Sequence, residues 1–415
     1  MPLRVDLGDS SQAILGFELG RERNVIAIGK GSGKGSGKGS GKGSGKGSGK
    51  GSGVDETDHA GGGASTALSS ALTSTRGAVV SNWNPDPAGM TTVFDYGSKA
   101  DDLSYLEPNS RAIVWSGQLF SCFKVSGKGS AHDIGHDAMI ALRDTPASLS
   151  IKRPSIPFLK KQMTHVRSYA DLRDDRLLEI TEQTDDLLSF FGSVFHLDTG
   201  RRRHTLEFLN VLQGLAIDLE LLVKHHCLRP RPADLAPEVQ PMIQTPDHSS
   251  FPSGHAAEAF AIATALHYLS QPGAPAVQRT AQDGIGKDAM VFRLAARIAA
   301  NRTVAGVHYP VDSLVGAQLG CFIAQAVLVL SGADLGAAAG EVVLSTALDD
   351  PDGAHGAITD GMAATDDFLL SKARVLAPVN AGFAAIPQIG NTDTLLEELF
   401  NNVREEWSSG GWHSV

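Results

Sequence analysis

Two stretches of this chain, HAAEAFAIATALHYL (residues 255–269) and the run from about Pro310 to Leu330, are apolar on nearly every side of the helix each would form. A helix without a polar face has to be surrounded by other elements, so these two demand a bundle around them. Two further segments can supply it. From Thr205 to Cys227, the residues Phe208, Leu209, Leu212, Leu215, Leu219, Leu222 and Val223 recur at three-four spacing and paint one face. Asp288 to Arg302 (DAMVFRLAARIAANR) is the remaining helical segment. Strand-like alternation is scarce between about Leu172 and Leu330, and the expected fold class is all-α, a helical bundle with an irregular N-terminal region. The most apolar part, Leu314 to Leu330, contains Gln318 and Gln325 and falls short of the roughly 20 clean residues of a membrane span, so a buried core helix is expected there.

Outside the bundle the chain is simpler. Residues 30–53 repeat Lys-Gly-Ser-Gly with a period of four, a composition that buries nothing and behaves as a charged, flexible coil, whether a tandem expansion or an added linker. The expected organisation is an N-terminal arm (1–29), this repeat and its Gly- and Ser-rich continuation (30–75), and one domain (76–415). Within that domain, Val79 to Ser126 mixes aromatic and turn residues and reads as an irregular, packed surround. Beyond Ser331, Ala, Gly and Asp dominate, which suggests short helices with loops. The formal charge is -10 even though six lysines lie in the repeat, which argues against a nucleic-acid partner. Three widely spaced cysteines, Cys122, Cys227 and Cys321, form neither a disulfide framework nor a zinc motif. The first twenty residues carry acidic groups where a signal peptide needs a basic start and an unbroken apolar core, so a cytoplasmic location is expected.

Charge that an apolar bundle does not need is concentrated at the ends of these helices. Lys224 closes the first, and Arg231-Pro232 follows. Pro252-Ser253-Gly254-His255 opens the next, where free backbone amides and the positive end of the helix dipole attract an anion. Ser253 adds a hydroxyl, Gly254 permits close backbone approach, and His255 can move a proton. Arg302 ends another helix and contributes a planar fork suited to two oxygens. His308 and Asp312 stand one turn apart, as an imidazole and the carboxylate that orients it. Each element alone could be an ordinary helix start or a structural histidine; the conjunction describes a pocket for a tetrahedral oxyanion.

The segments KHHCLRPRP, FPSGH and NRTVAGVHYPVD are similar to the three-part motif KxxxxxxRP, PSGH, SRxxxxxHxxxD. That motif belongs to the superfamily of type 2 phosphatidic acid phosphatases and vanadium-dependent haloperoxidases, and the resemblance covers roughly Thr205 to Leu330. It implies a helical fold whose pocket holds a phosphate ester or vanadate. By that resemblance Lys224, Arg231, Ser253, Gly254 and Arg302 bind the equatorial oxygens, and His255 is the acid/base. His308 is the axial vanadium ligand of a haloperoxidase, or the phosphoryl-accepting nucleophile of a phosphatase, and Asp312 orients it. Asn301 departs from the motif's serine. Arg229, two residues before Arg231, falls off the spacing and reads as an outer cation.

Context tips the expectation toward a vanadate-dependent haloperoxidase that oxidises bromide or iodide with hydrogen peroxide. The chain is long and has no evident span or signal, as the haloperoxidases tend to be. DHSSFPSGH also resembles the HPSYPSGH segment of bromoperoxidases, in which the residue matching His248 lies beside vanadate; a loop histidine capping a turn is the plainer reading. Small anions, peroxide and a small organic acceptor are the implied partners, with no membrane, and a homodimer is a family-style expectation. A phosphatase acting through a phosphohistidine at His308, with no cofactor, is the rival, and a non-catalytic phosphate-binding helical protein is a third reading. His132 and His136 stand four apart but lack the Glu and third ligand of a zinc site; His225 and His226 sit at a helix end, either lining the pocket mouth or as ordinary packing; Arg201 to Arg203 reads as a water-facing loop; Cys227 reads as a small buried hydrophobe.

Overall fold

The structure, a computed structural model, describes residues 103–128, 135–145, 147–335, 343–345, 348–349, 362–368 and 394–408. The N-terminal arm, the repeat and its continuation, His132, and the tail after Ser408 lie outside the described residues.

The chain enters through α1 (Pro108–Ser121), inside the segment expected to be irregular. Proline at the first helical position is pre-set for the helix, and Ala112, Trp115 and Leu119 form its buried face. Exposed Ile113 and Phe120 on the other faces blur that period in the sequence. Three strands follow, β1 (Phe123–Lys128), β2 (Asp137–Leu142) and β3 (Ser148–Ile151), each antiparallel to the last. Ala138, Ile140 and Leu142 of β2 alternate inward, the period-two pattern of a half-buried strand.

The helical body comprises α2 (Ile156–Tyr169), α3 (Arg173–Glu182), α4 (Leu188–Phe195), α5 (Arg203–Cys227), the single turn α6 (Pro232–Leu235), α7 (Gly254–Leu269), α8 (Ala281–Gly286), α9 (Met290–Val304) and α10 (Pro310–Leu330). The four helices read from the sequence are thus α5, α7, α9 and α10, and the described fold is dominated by helices as expected. After α10 come β4 (Val343–Ser345), parallel to β3, then the paired β5 (Leu348–Asp349) and β6 (Met362–Ala363), and α11 (Thr394–Ser408). The short helices expected after Ser331 are therefore replaced, among the described residues, by strands and one 15-residue helix.

The core centres on α10, every residue of which is buried, packed chiefly on α7. By length and composition α10 could cross a membrane, so the sequence reading of it as too short does not hold; its apolar window is nonetheless covered entirely by the protein itself. Small residues allow the close contact. A Cβ at Gly316 would overlap the Ser253 carbonyl, and one at Gly320 the Ala257 carbonyl.

Two polar devices tie the periphery to this core. The Glu406 carboxylate of α11 accepts from the backbone N–H groups of His204 and Thr205 at 2.7 and 2.9 Å, filling the open end of α5. Arg202 lies beneath, its guanidinium 4.2 Å from the Trp407 ring centre and only 6% exposed. The run Arg201–Arg203 is therefore not wholly a water-facing loop, because cation–π stacking draws its middle residue inward. The second device is Gln162 of α2. Its amide nitrogen donates to the Ala364 and Asp366 carbonyls at 2.9 and 3.0 Å, and its oxygen accepts from Val311 N at 3.1 Å, in the first turn of α10.

Candidate anion site

The amides of the PSGH turn open α7, with Ser253 as cap accepting from Ala256 N at 3.4 Å. Ser253 N donates to the Asp312 carbonyl at 2.9 Å, which fixes this turn against the first turn of α10. The open N–H groups at the start of α7 thereby stand beside the head of α10, whose own first amides are already taken by Gln162 and the Tyr309 carbonyl. The C-terminal part of α5 joins them through Glu220, whose Oε1 would lie 2.8 Å from a Cβ at Gly254. Glu220 Oε2 in turn sits 3.3 Å from Lys224 Nζ, one helical turn on.

The arginines arrive by different routes. Arg231 is buried; its Nη1 donates to the Val307 carbonyl at 3.0 Å, its Nε to the His248 carbonyl at 3.2 Å, and its Nη2 lies 3.3 Å from His248 Nδ1. That brings the loop of His248 and the residue preceding His308 onto one guanidinium. Arg302, 1% exposed, donates from Nη2 to Gln183 Oε1 at 2.9 Å and to the Ile180 carbonyl at 3.2 Å. Its Nε and Nη1 are buried with no protein partner among the described residues. Buried guanidinium N–H groups without an acceptor are costly, and a multi-oxygen anion is the chemistry that would satisfy them.

Both imidazoles are held in defined tautomers. Asp312 Oδ2 lies 3.0 Å from His308 Nδ1, so Nδ1 carries the proton and Nε2 keeps its lone pair. Asp312 also accepts from Tyr309 N at 3.1 Å and, at short range, from the Ser250 hydroxyl. His255 Nε2 donates to the Gln183 carbonyl at 3.0 Å, which leaves Nδ1 as the acceptor of the neutral ring. Burial first, then the charges of Arg231, Lys224 and Arg302, hold His308 well below its ordinary pKa; burial and Arg302 do the same for His255. The mutual influence of these charges places the three cations and two imidazoles in one electrostatic neighbourhood. His248 is pushed down to about 4 by burial and by Lys224, so it too is neutral near pH 7. Burial lifts Asp312 to about 6 and brings Arg302 down to about 10.

All nine residues singled out in the sequence, Lys224, Arg231, His248, Ser253, Gly254, His255, Arg302, His308 and Asp312, are thus linked through these contacts and fields. Others escaped sequence reading. Ser250 lay in plain view beside the PSGH turn. Gln183, at the end of α3, touches Arg302 through its side chain and His255 through its carbonyl, and no local pattern marks it. Glu220 was legible in principle, four residues before Lys224 on the same helical face. Asn301, where the motif has serine, is buried and donates to Glu179 Oε1 and Gln183 Oε1 at 2.8 and 3.0 Å while accepting from Arg176 at 2.8 Å. The longer amide binds α9 to α3.

His226 packs its ring against Gly127 of β1, and its carbonyl accepts from His136 N at 2.7 Å. No group of three His, Cys, Asp or Glu suited to a metal ion occurs among the described residues. Arg229 serves the loop with its backbone, receiving Ser250 N at 2.9 Å and donating to Ser249 Oγ at 2.8 Å. Cys227 is fully buried, and burial pushes its thiol up to about 12, consistent with an inert packing residue.

Residues 207–334 match the model of the PAP2 superfamily. Comparison with curated proteins gives no match. The stretch similar to that superfamily contains all nine residues singled out in the sequence, in agreement with the resemblance read from them. Members of that superfamily are generally enzymes, phosphatases and haloperoxidases, which act on phosphoryl groups or bind vanadate.

Proposed function

We propose that this protein is a vanadate-dependent haloperoxidase that oxidises bromide or iodide with hydrogen peroxide in water rather than at a membrane. The observation that carries the anion-binding half of this reading is the neutral His308 imidazole, Nε2 free, held by Asp312 among Lys224, Arg231 and Arg302. The unpartnered nitrogens of Arg302 fit an oxyanion with several oxygens. Lys224, Arg231, Arg302 and the Ser253-Gly254 amides would hold the oxygens of vanadate, and His308 Nε2 would be its protein ligand. Bound vanadate supplies a Lewis acid that activates peroxide without changing its own oxidation state.

The chain's part is electrostatic and protonic. Fixed cations stabilise negative charge on the oxidant, with the Lys224 ammonium a compact donor to it. His255, neutral with an acceptor Nδ1, takes a proton from incoming peroxide and returns one as water departs. The net reaction consumes peroxide, one halide and one proton and yields hypohalous acid and water, the halide losing two electrons to the peroxide bond. His248, neutral and against Arg231, favours this chemistry over the rival by its likeness to the bromoperoxidase segment.

The same lone pair on His308 also suits a nucleophile toward a phosphate monoester, so one experiment decides. Full-length protein freed of bound anions is given orthovanadate, peroxide, bromide and a dye that bleaches on bromination. Vanadate-dependent bromination, reduced roughly a thousandfold or more in His308→Ala, is the expected result. Hydrolysis of a chromogenic phosphate ester without any bromination would establish the phosphatase instead, and phosphate binding with neither turnover would leave a binding protein.

A further inference from the structure

Behind the anion site lies a second layer of charge that the mechanism does not use. Glu220 and Glu258 are both buried, at 4% and 8% exposure, on the facing helices α5 and α7. Glu220 pairs with Lys224 Nζ at 3.3 Å, and its carboxylate abuts Gly254 closely enough that any side chain there would strike it. Glu258, one turn beyond Gly254, accepts from Gln213 Nε2 at 2.8 Å. The groups that face Glu220 are Lys224 on its own helix, Arg231 beyond the end of α5 and Glu258 on α7; Arg302 of α9 acts on Glu258, and Asp312 of α10 on Lys224.

A carboxylate beside an anion site weakens anion binding, so its presence calls for a reason. Lys224, 2% exposed, cannot stand charged and unpaired in the interior. Glu220 gives it a partner from behind while its front faces the site. We propose that Glu220, backed by Glu258, is a positioning residue of the anion site: it tethers the Lys224 ammonium against the PSGH turn and offsets part of its charge, so that a tetrahedral oxyanion is held yet exchanges. This rests on the reading of the pocket as an oxyanion site. Burial pushes Glu220 up to about 7 and Lys224 down, and each partner's charge pulls the other part of the way back, as such a tether requires.

The test is calorimetric titration of the full chain with inorganic phosphate at pH 8, alongside turnover in whichever of the two assays the wild type supports. Wild-type protein that binds neither phosphate nor orthovanadate would sink the anion-site reading itself. Given wild-type binding, Glu220→Gln is expected to bind phosphate about tenfold tighter and to turn over about tenfold more slowly, because one buried negative charge is gone and the ammonium is untethered. A merely structural role would lower affinity and turnover together. Unchanged or weaker phosphate binding in a folded Glu220→Gln protein overturns the proposal. Should that variant lose its helical circular dichroism, Glu258→Gln, whose amide can still pair with Gln213, is read in its place. About threefold tighter binding is then expected, and no tightening overturns the proposal.

Discussion

The two sides of the anion site are built on different physics. On one side α7 and α10 meet through Gly316 and Gly320, backbone against backbone, with every α10 residue buried. On the other, α3 meets α9 through polar groups. Arg297 pairs with Glu179 at 2.7 Å, Asn301 bridges Glu179, Gln183 and Arg176, and Gln183 receives Arg302. This helix is partly exposed on its apolar residues, Leu177 at 52% and Leu178 at 75%. Close packing has no intermediate setting, whereas a hydrogen-bond network can lose one member and re-form around it. The packed side should therefore govern whether the chain folds, and the polar side how well the folded site works.

Gly320→Val should break the packed side most severely. Its branched side chain has to displace the Ala257 backbone, a destabilisation of about 3 kcal/mol or more, at the upper end of overpacking costs; thermal unfolding measures it, and a melting temperature within about 2 °C of wild type would mean that the helices slide apart easily. Gln183→Ala probes the polar side. The variant removes the side-chain acceptor of Arg302 but leaves the carbonyl that holds His255, so phosphate affinity should fall about tenfold, or roughly 1.4 kcal/mol, with folding little changed. An equal loss of stability and affinity would erase the distinction between the two sides.

A smaller effect concerns α5, which packs on α7 and α10 of the packed side. Burial raises Glu220 from its ordinary range to about 7 in the folded protein. A group raised on folding favours the folded state most below its unfolded pKa, and that contribution is lost as pH climbs through the folded value. The stability of wild type relative to Glu220→Gln should thus decline by about 1 kcal/mol or more between pH 5 and 8, the pull of Lys224 being already contained in that value; urea unfolding at the two pH values reads the sign, and an increase would refute it. Smallest of all, Arg297→Ala removes a half-exposed ion pair and should cost about 0.5 kcal/mol, because Asn301 still donates to Glu179.

The packed side was also the legible one. All-round apolar helices announce their burial, and the PSGH and His-x-x-x-Asp spacings identify which ends carry chemistry. The polar side was hidden because Gln183 and Glu179 look like surface residues of EITEQTDD until α9 is laid across them. Strands β1 to β3 went unread because each is short, and α1 because Ile113 and Phe120 obscure its period. Glu220 shows the limit in one residue: its spacing from Lys224 was visible, but an i to i+4 pair is usually solvated, and only the approach of Gly254 reveals a buried one.

The side chain of Gln162 reaches in two directions, to the chain between Ala364 and Asp366 and to Val311 at the head of α10. Both its own helix and that later segment lie outside residues 207–334. A fragment trimmed to the family's limits would therefore leave an N–H of the Asp312-bearing helix without its acceptor. The smallest unit able to work is larger than the stretch by which the protein is recognised.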